Sequence, residues 1–372
     1  MLTKEAVAPY LMRQGLLDPE ALVESGLSIR RIAGRNSNFI IELANGSGYL
    51  LKQAVDAEKA SFLDNEARVY TYLSGYNDQF TRYIPPLQSY NEDEHILVLG
   101  LLPSARQLGE HLVRTGRFST MIARQLGRML AALHRRGSHD RANNPVTLAT
   151  RPVPWVLSIH RPHIELYRLA SQANLNLIAK IQMFPDLCDH IEALKQTWQP
   201  LALIHYDLKL ENMLVVPATK AGQSRLTVRL VDWEMAGIGD PCWDIGSVFG
   251  AVLSFWLHSM PFSGDGAQGL SPEFARFPLQ RARSALLNFW ISYERGMQFA
   301  PSISNDCLLR STSFAAARLV QSVFEQCQVM TQLPGTALNA LQLSSNILHK
   351  PLEAAVHLLG LQPRVEWNEA QL

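Results

Sequence analysis

Between Leu203 and Val215 the chain reads Leu-Ile-His-Tyr-Asp-Leu-Lys-Leu-Glu-Asn-Met-Leu-Val, two apolar strand-like runs enclosing His205, Asp207 and Asn212. No other stretch restricts the fold as much. Polar side chains shut between buried strands are costly, roughly 2–7 kcal/mol each, unless they are paired or put to use. Further on, Val228–Val231 forms another apolar run and ends in Asp232. The connection Pro217–Arg225, with Lys220, Gly222, Gln223 and Ser224, has the composition of a hairpin loop. Such a hairpin brings Asn212 and Asp232 to the same end of a two-stranded ribbon. Hard cations such as Mg²⁺ take oxygen ligands from one or two side chains and complete their shell with phosphate oxygens. Asn212 and Asp232 supply that donor set and leave Asp207 to meet a hydroxyl.

The residues before this segment divide into two textures. Leu27–Ile32, Phe39–Leu43 and Tyr49–Gln53 are short and strand-like. The first linker is Gly34-Arg35-Asn36-Ser37-Asn38, and the second contains Asn45-Gly46, a strong hairpin signal. A helical stretch, Ala57–Leu73, carries Glu66, and a further strand pair is expected at Leu87–Tyr90 and His95–Leu99. After Leu99-Gly100-Leu101-Leu102-Pro103, an apolar hinge candidate, helical spacing dominates: around Ile122–His134, then over 163–197, 281–299, 306–332 and 336–360. The stretch from Asn143 to Pro162 has the look of a connection or insert, and 201–240 returns to strand and loop. The expected fold class is therefore α+β, with a small antiparallel-sheet lobe and hinge over 1–103 and a larger helical lobe over 104–372.

Composition narrows the function classes. Thirty-four Lys plus Arg face 33 Asp plus Glu in 372 residues, and no basic run appears, which argues against a nucleic-acid partner. Apolar residues make up 47% of the chain, which excludes a disordered protein. The four cysteines, Cys188, Cys242, Cys307 and Cys327, have neither metal-knuckle nor redox-motif spacing and read as buried or free thiols of a reducing compartment. Ile245–Gly264 lacks Asp, Glu, Lys and Arg, but its four Ser, His258 and Pro261 favour a buried helix over a membrane span. With no signal-peptide pattern at the N-terminus, a soluble cytoplasmic protein is expected.

The motif His205-x-Asp207 with Asn212, followed by Asp232-Trp233-Glu234 and Gly239-Asp240-Pro241-Cys242-Trp243-Asp244, resembles the aminoglycoside phosphotransferase and choline kinase-like family, a small-molecule branch of the protein-kinase-like fold. The two blocks span about forty residues, and a looser likeness extends over roughly 25–330. The resemblance implies an ATP- and Mg²⁺-dependent kinase. Asp207 would orient the attacking hydroxyl and accept its proton; Asn212 and Asp232 would hold Mg²⁺ against the nucleotide phosphates. Asp240 and Asp244 would support these residues from behind, and Asp244 can also cap the uncharged helix. His205 reads as a brace of the loop, with a proton shuttle as its other reading. No Cys or His is placed to carry a phospho-enzyme, so transfer is expected to be direct.

The family also calls for a lysine on the third strand. Lys52 follows Tyr49-Leu50-Leu51, and Glu66 is its expected partner; taken alone, a lysine at such a place is more often a snorkelling strand-end residue. No Gly-x-Gly-x-x-Gly precedes it, and Asn36 and Ser37 stand as candidate phosphate contacts against an ordinary hairpin turn. Gly239 follows Asp232 by only seven positions, and no Ala-Pro-Glu segment follows, so a constitutively assembled site is expected. Trp233 and Trp243 read as core aromatics.

The acceptor is harder to read. Lys plus Arg slightly exceed Asp plus Glu in both Ser138–Pro200 and Ile245–Arg310, unlike a pocket built for polycationic antibiotics. The rings Phe249, Phe255, Trp256, Phe262, Phe289, Trp290 and Tyr293 would either cage a quaternary ammonium or fill the core. Arg151–His163 reads as a solvated insert or as the contact for an anionic or peptide partner. Three readings therefore stand: a kinase for a small hydroxyl-bearing metabolite, a kinase for Ser/Thr of a peptide in modified-peptide biosynthesis, and a non-catalytic nucleotide-binding scaffold.

Overall fold

The computed structural model describes residues 1–18, 26–75, 80–139, 148–217, 226–260 and 275–364. Residues 218–225 of the expected hairpin loop, 143–147 of the expected insert, and Phe262 with the rest of 261–264 lie outside the described residues. The chain forms two compact units. The first takes the described residues of Met1–Leu108, Asn143–Ala149 and Glu211–Gly237; the second takes those of Gly109–Ala142, Thr150–Leu210 and Ile238–Leu372.

In the first unit, β1 (Leu27–Ile32), β2 (Ser37–Leu43), β3 (Gly48–Gln53), β4 (Leu87–Asn91) and β5 (Ile96–Gly100) form an antiparallel sheet in the order β1-β2-β3-β5-β4. The β2–β3 turn is built as its Asn-Gly pair predicts. Gly46 takes φ +81°, a region closed to most side chains, and Asn45 Oδ1 accepts from Ser47 N at 2.9 Å. Period-two alternation puts Phe39, Ile41, Leu51, Ile96 and Val98 in one cluster. A helix, Lys4–Arg13, packs into the same cluster through Val7, Tyr10 and Leu11, and the sequence reading did not foresee it. Pro9 sits inside that helix, where proline normally argues against one. The helix Ala57–Ser74 follows β3, with Asp56 capping its first turn through Lys59 N at 2.9 Å.

Further short strands follow: β6 (Arg106–Gln107), β7 (Ala202–Ile204), β8 (Met213–Pro217), β9 (Leu226–Leu230) and β10 (Gly237–Gly239). β8 and β9 pair antiparallel with Met213 opposite Leu230, and Val231 N donates to Asn212 O at 3.1 Å. Asn212 and Asp232 thus leave the same end of one ribbon, as the hairpin reading expects. β6 extends that ribbon, while β7 pairs with β10.

The second unit is mainly helical. The expected helical stretch 163–197 is broken into Ile164–Leu169, Gln172–Gln182 and Pro185–Gln196, because Ser171 caps the second piece and Pro185 opens the third. The uncharged stretch forms the buried helix Pro241–His258, packed along Pro301–Gln326. Glycine is required at this contact. A Cβ on Gly246 would lie 2.7 Å from Phe314 Cβ and 2.8 Å from Ser311 O, and one on Gly250 would lie 2.9 Å from Arg318 Cβ. Among the described residues no helix is long and apolar enough to cross a membrane. The four cysteines are free thiols, and Cys242, Cys307 and Cys327 are buried.

Candidate active site

Each unit carries one charged cluster. In the first unit, Lys52 is paired across β2–β3 with Asn38 and projects from β3. Its Nζ donates to both oxygens of Glu66 at 2.9 Å and to Asp232 Oδ1 at 3.0 Å. Glu66 is wholly buried, and the Lys52 side chain is 12% exposed. Burial alone would lower the Lys52 pKa, but Glu66 and then Asp232 outweigh it and hold the ammonium above the ordinary lysine value. Burial lifts the Glu66 carboxyl, with Lys52 pulling the other way.

Asp232 itself adopts φ +69°, a left-handed conformation unusual for a residue other than glycine. The turn after it is held from the helix Ala57–Ser74: Asn65 Nδ2 donates to Glu234 O at 2.9 Å and to Ala236 O at 3.0 Å. Arg35 reaches Glu234 Oε1 at 3.0 Å. Asn212 is buried and offers an amide oxygen; Asp232, a third exposed at its side chain, offers a carboxylate. Among the described residues no cluster of three or more His, Cys, Asp or Glu forms a metal cage. A cation held by these two side chains would complete its shell with phosphate or water oxygens.

In the second unit the polarity is reversed. Asp207 Oδ2 meets Lys209 Nζ at 2.9 Å, and Oδ1 lies 3.5 Å from Arg318 Nη2. Burial opposes the Asp207 charge, but Arg318 and then Lys209 prevail, and its pKa falls to about 2. Tyr206, just before it, takes φ +71°. Asp244 secures that bend, its Oδ2 accepting from His205 N at 2.8 Å and its Oδ1 from Tyr206 N at 3.0 Å. Trp243 Nε1 donates to Tyr206 O at 2.7 Å. Behind Asp244, His134 Nε2 approaches Oδ2 at 3.3 Å, and Tyr293 OH lies 2.9 Å from His134 Nδ1.

The capping expectation for Asp244 is corrected by this geometry. Asp240 is the cap of Pro241–His258, its Oδ1 accepting from Cys242 N at 3.0 Å and its Oδ2 from Gln199 N at 2.9 Å, with Arg310 paired to it. Both oxygens of Asp244 are taken by the 203–215 segment instead. His205 is fully buried.

The phosphate-loop candidates are not brought together. β2 begins at Ser37, and the register sets Ser37 opposite Gln53, on the face of Phe39 and Leu51, away from Lys52. Asn38, which the sequence reading passed over, shares the face of Lys52. Asn36 Oδ1, Ser37 Oγ and Asn38 Oδ1 are all buried without a hydrogen-bond partner in the protein. Arg318 and Asn65 were also passed over. The signal for Arg318 is a lone arginine in the apolar run Phe314–Val320.

Of the rings named as a possible cage, Phe249, Trp256, Phe289, Trp290 and Tyr293 are buried in the core, Phe255 is half-buried, and Phe262 lies outside the described residues. Phe249, Phe289, Trp290 and Tyr293 are at most 3% exposed, and Phe289 and Tyr293 stack with centroids 6.5 Å apart. Trp233 and Trp243 are fully buried, as expected.

A five-stranded antiparallel sheet followed by a mostly helical part is the protein-kinase-like fold. The chain belongs to the phosphotransferase enzyme family, whose profile matches residues 28–278, and is thus a phosphotransferase acting on hydroxyl groups. Solved structures agree on the fold. A Ralstonia eutropha protein proposed to be an aminoglycoside phosphotransferase superposes with a TM-score of 0.53 at 18% identity, covering 94% of this chain and 96% of its own. Aminoglycoside 2'-phosphotransferase-IIIa, in its GDP complex, gives 0.52 at 15% identity, covering 94% of this chain and 100% of its own. Among curated proteins none matches the sequence.

Proposed function

We propose that this enzyme transfers the γ-phosphoryl group of ATP, with Mg²⁺, to the hydroxyl of a small metabolite. The observation that carries this reading is Asp207, a carboxylate kept ionised between two cations. With a pKa of about 2 it is too weak a base to strip a free alcohol. Its work is to accept the hydroxyl's hydrogen bond, aim the oxygen, and take the proton as the new P–O bond forms, which suits the loose transition state of phosphoryl transfer.

Lys52 offers its ammonium to phosphate oxygens, and Glu66 fixes where that ammonium points. Asn212 and Asp232 are the residues that would hold Mg²⁺, which supplies charge neutralisation to the phosphates when bound. Transfer is direct: the acceptor oxygen bonds to the γ-phosphorus as the bond to the leaving ADP breaks, and Asp207 takes the acceptor's proton. Two cations on Asp207 and aromatic rings committed to the core argue for an acceptor that is neither polycationic nor a caged quaternary ammonium.

The test is Mg²⁺-dependent ATP turnover across sugars, hydroxy acids, choline-like alcohols, aminoglycosides and Ser/Thr peptides, comparing wild type with Asp207→Asn. Turnover stimulated by a small alcohol and reduced at least 100-fold in the variant is expected. A peptide as the productive acceptor would overturn the metabolite assignment. ATP binding without turnover on any acceptor would point to a scaffold.

A further inference from the structure

We infer that Arg318 is a positioning residue for phosphoryl transfer, fixing the Asp207 carboxylate from within the helical core. Arg318 lies on Pro301–Gln326 among Phe314, Ala315, Ala316, Ala317, Leu319 and Val320, and only 4% of it is exposed. A guanidinium is a costly occupant of such a place, and an apolar side chain would pack there with less penalty. Its Nη1 is buried without a hydrogen-bond partner in the protein, so the side chain is not optimised for its own satisfaction.

What it touches is the 203–215 segment. Nη2 lies 3.5 Å from Asp207 Oδ1 and donates to Leu208 O at 3.3 Å. The guanidinium carbon stands 5.5 Å from the Trp243 ring centroid, and Trp243 adjoins Asp244, the residue that grips His205 N and Tyr206 N. Gly250 on the facing helix leaves room for the arginine's stem, since a Cβ there would come within 2.9 Å of Arg318 Cβ.

The two cations divide the carboxylate between them. Lys209 takes Oδ2 from a side chain 36% exposed, on a flexible stem that can move aside. Arg318 takes Oδ1 from a side chain only 4% exposed, with little room to move, so Oδ1 is the anchored oxygen and Oδ2 the presented one. Arg318 reaches no substrate; it sets the angle at which Asp207 meets the acceptor hydroxyl.

This inference rests on the reading of Asp207 given above, and the experiment separates the two. Steady-state kcat and KM are measured for wild type, Asp207→Asn, Arg318→Met, Arg318→Gln and Arg318→Lys, with the thermal midpoint of each. Arg318→Met should lower kcat about 10- to 100-fold with KM for ATP within twofold of wild type. Arg318→Gln keeps a donor for Leu208 O and serves if the Met variant does not fold; the same loss of kcat is expected. Arg318→Lys, which restores the charge but not the fork, should regain part of kcat over Gln. Wild-type kcat in folded Arg318→Gln, or a Lys variant no better than Gln, overturns the inference. If Asp207→Asn leaves turnover intact, the catalytic reading itself falls.

Discussion

The two charged clusters are built as opposites. In the first unit one cation, Lys52, is shared by two carboxylates; in the second, one carboxylate, Asp207, is shared by two cations. The first leaves a net negative charge and the second a net positive one. In each, the central group is held by one buried partner, Glu66 or Arg318, and by one partly exposed partner, Asp232 or Lys209. A buried partner fixes direction, while an exposed one can trade its contact for a ligand. Both clusters also adjoin a residue in the left-handed conformation, Asp232 itself and Tyr206 beside Asp207. Such strain persists only where surrounding hydrogen bonds over-determine it. Asn65 supplies them on one side and Asp244 on the other.

Removing the buried cation of the first cluster is the hardest blow to this arrangement. Lys52→Met leaves Glu66 buried beside Asp232 with no counter-charge, a situation that costs roughly 3–5 kcal/mol. The expected result is a large drop in the urea midpoint together with lost ATP affinity. Adding Glu66→Gln should return most of the stability but not the affinity, because the second change removes the stranded charge without replacing the ammonium. If Lys52→Met unfolds at the wild-type midpoint, the pair is not organised by burial and the likeness between the clusters is superficial.

How much of this was legible in the sequence depends on distance along the chain. The Lys52–Glu66 pairing spans 14 positions and lies on a strand and the helix after it, so local pattern suffices. Asn212 and Asp232 are joined by a hairpin whose apolar strands can be seen. Arg318 approaches Asp207 through helix packing that no periodicity encodes, and only its apolar neighbours hint that it has a task. Ser37 and Asn38 show a second limit. Because side chains alternate, starting β2 at Ser37 rather than Phe39 decides which of the two shares a face with Lys52. The N-terminal helix was hidden by Pro9, whose local preference is overridden by Val7, Tyr10 and Leu11 packing under the sheet.

Opposite polarity predicts failure at opposite ends of the pH scale. Asp207 has a folded-state pKa of about 2, below the ordinary value near 3.9. Its contribution is therefore complete above about pH 4 and lost as pH falls toward 2, an amount on the order of 2 kcal/mol. Lys52 is held above the ordinary lysine value, so its contribution is complete below about pH 10.4 and fades only as pH rises beyond that. Unfolding midpoints of wild type and Asp207→Asn, measured from pH 5 to pH 2, should converge as the medium becomes acidic. A constant gap across that range would mean that Asp207 is not the carboxylate responsible for the acid limb.

The smallest expected effect calibrates the others. Arg35 reaches Glu234, two residues past Asp232, at the same 3.0 Å that separates Lys52 from Asp232, yet the Arg35 side chain is 72% exposed. Equal distance with unequal burial isolates solvent as the variable. In high dielectric the attraction is modest and ordering a long side chain offsets it, so Arg35→Ala should cost no more than about 1 kcal/mol. The turn itself is held by Asn65 through backbone carbonyls and does not need the ion pair. Salt provides the second arm: near 1 M NaCl, where the Debye length is about 3 Å, the difference between Arg35→Ala and wild type should vanish, whereas the deficit of Lys52→Met should persist. A salt-insensitive deficit in Arg35→Ala as large as that of Lys52→Met would show that burial does not separate these two ion pairs.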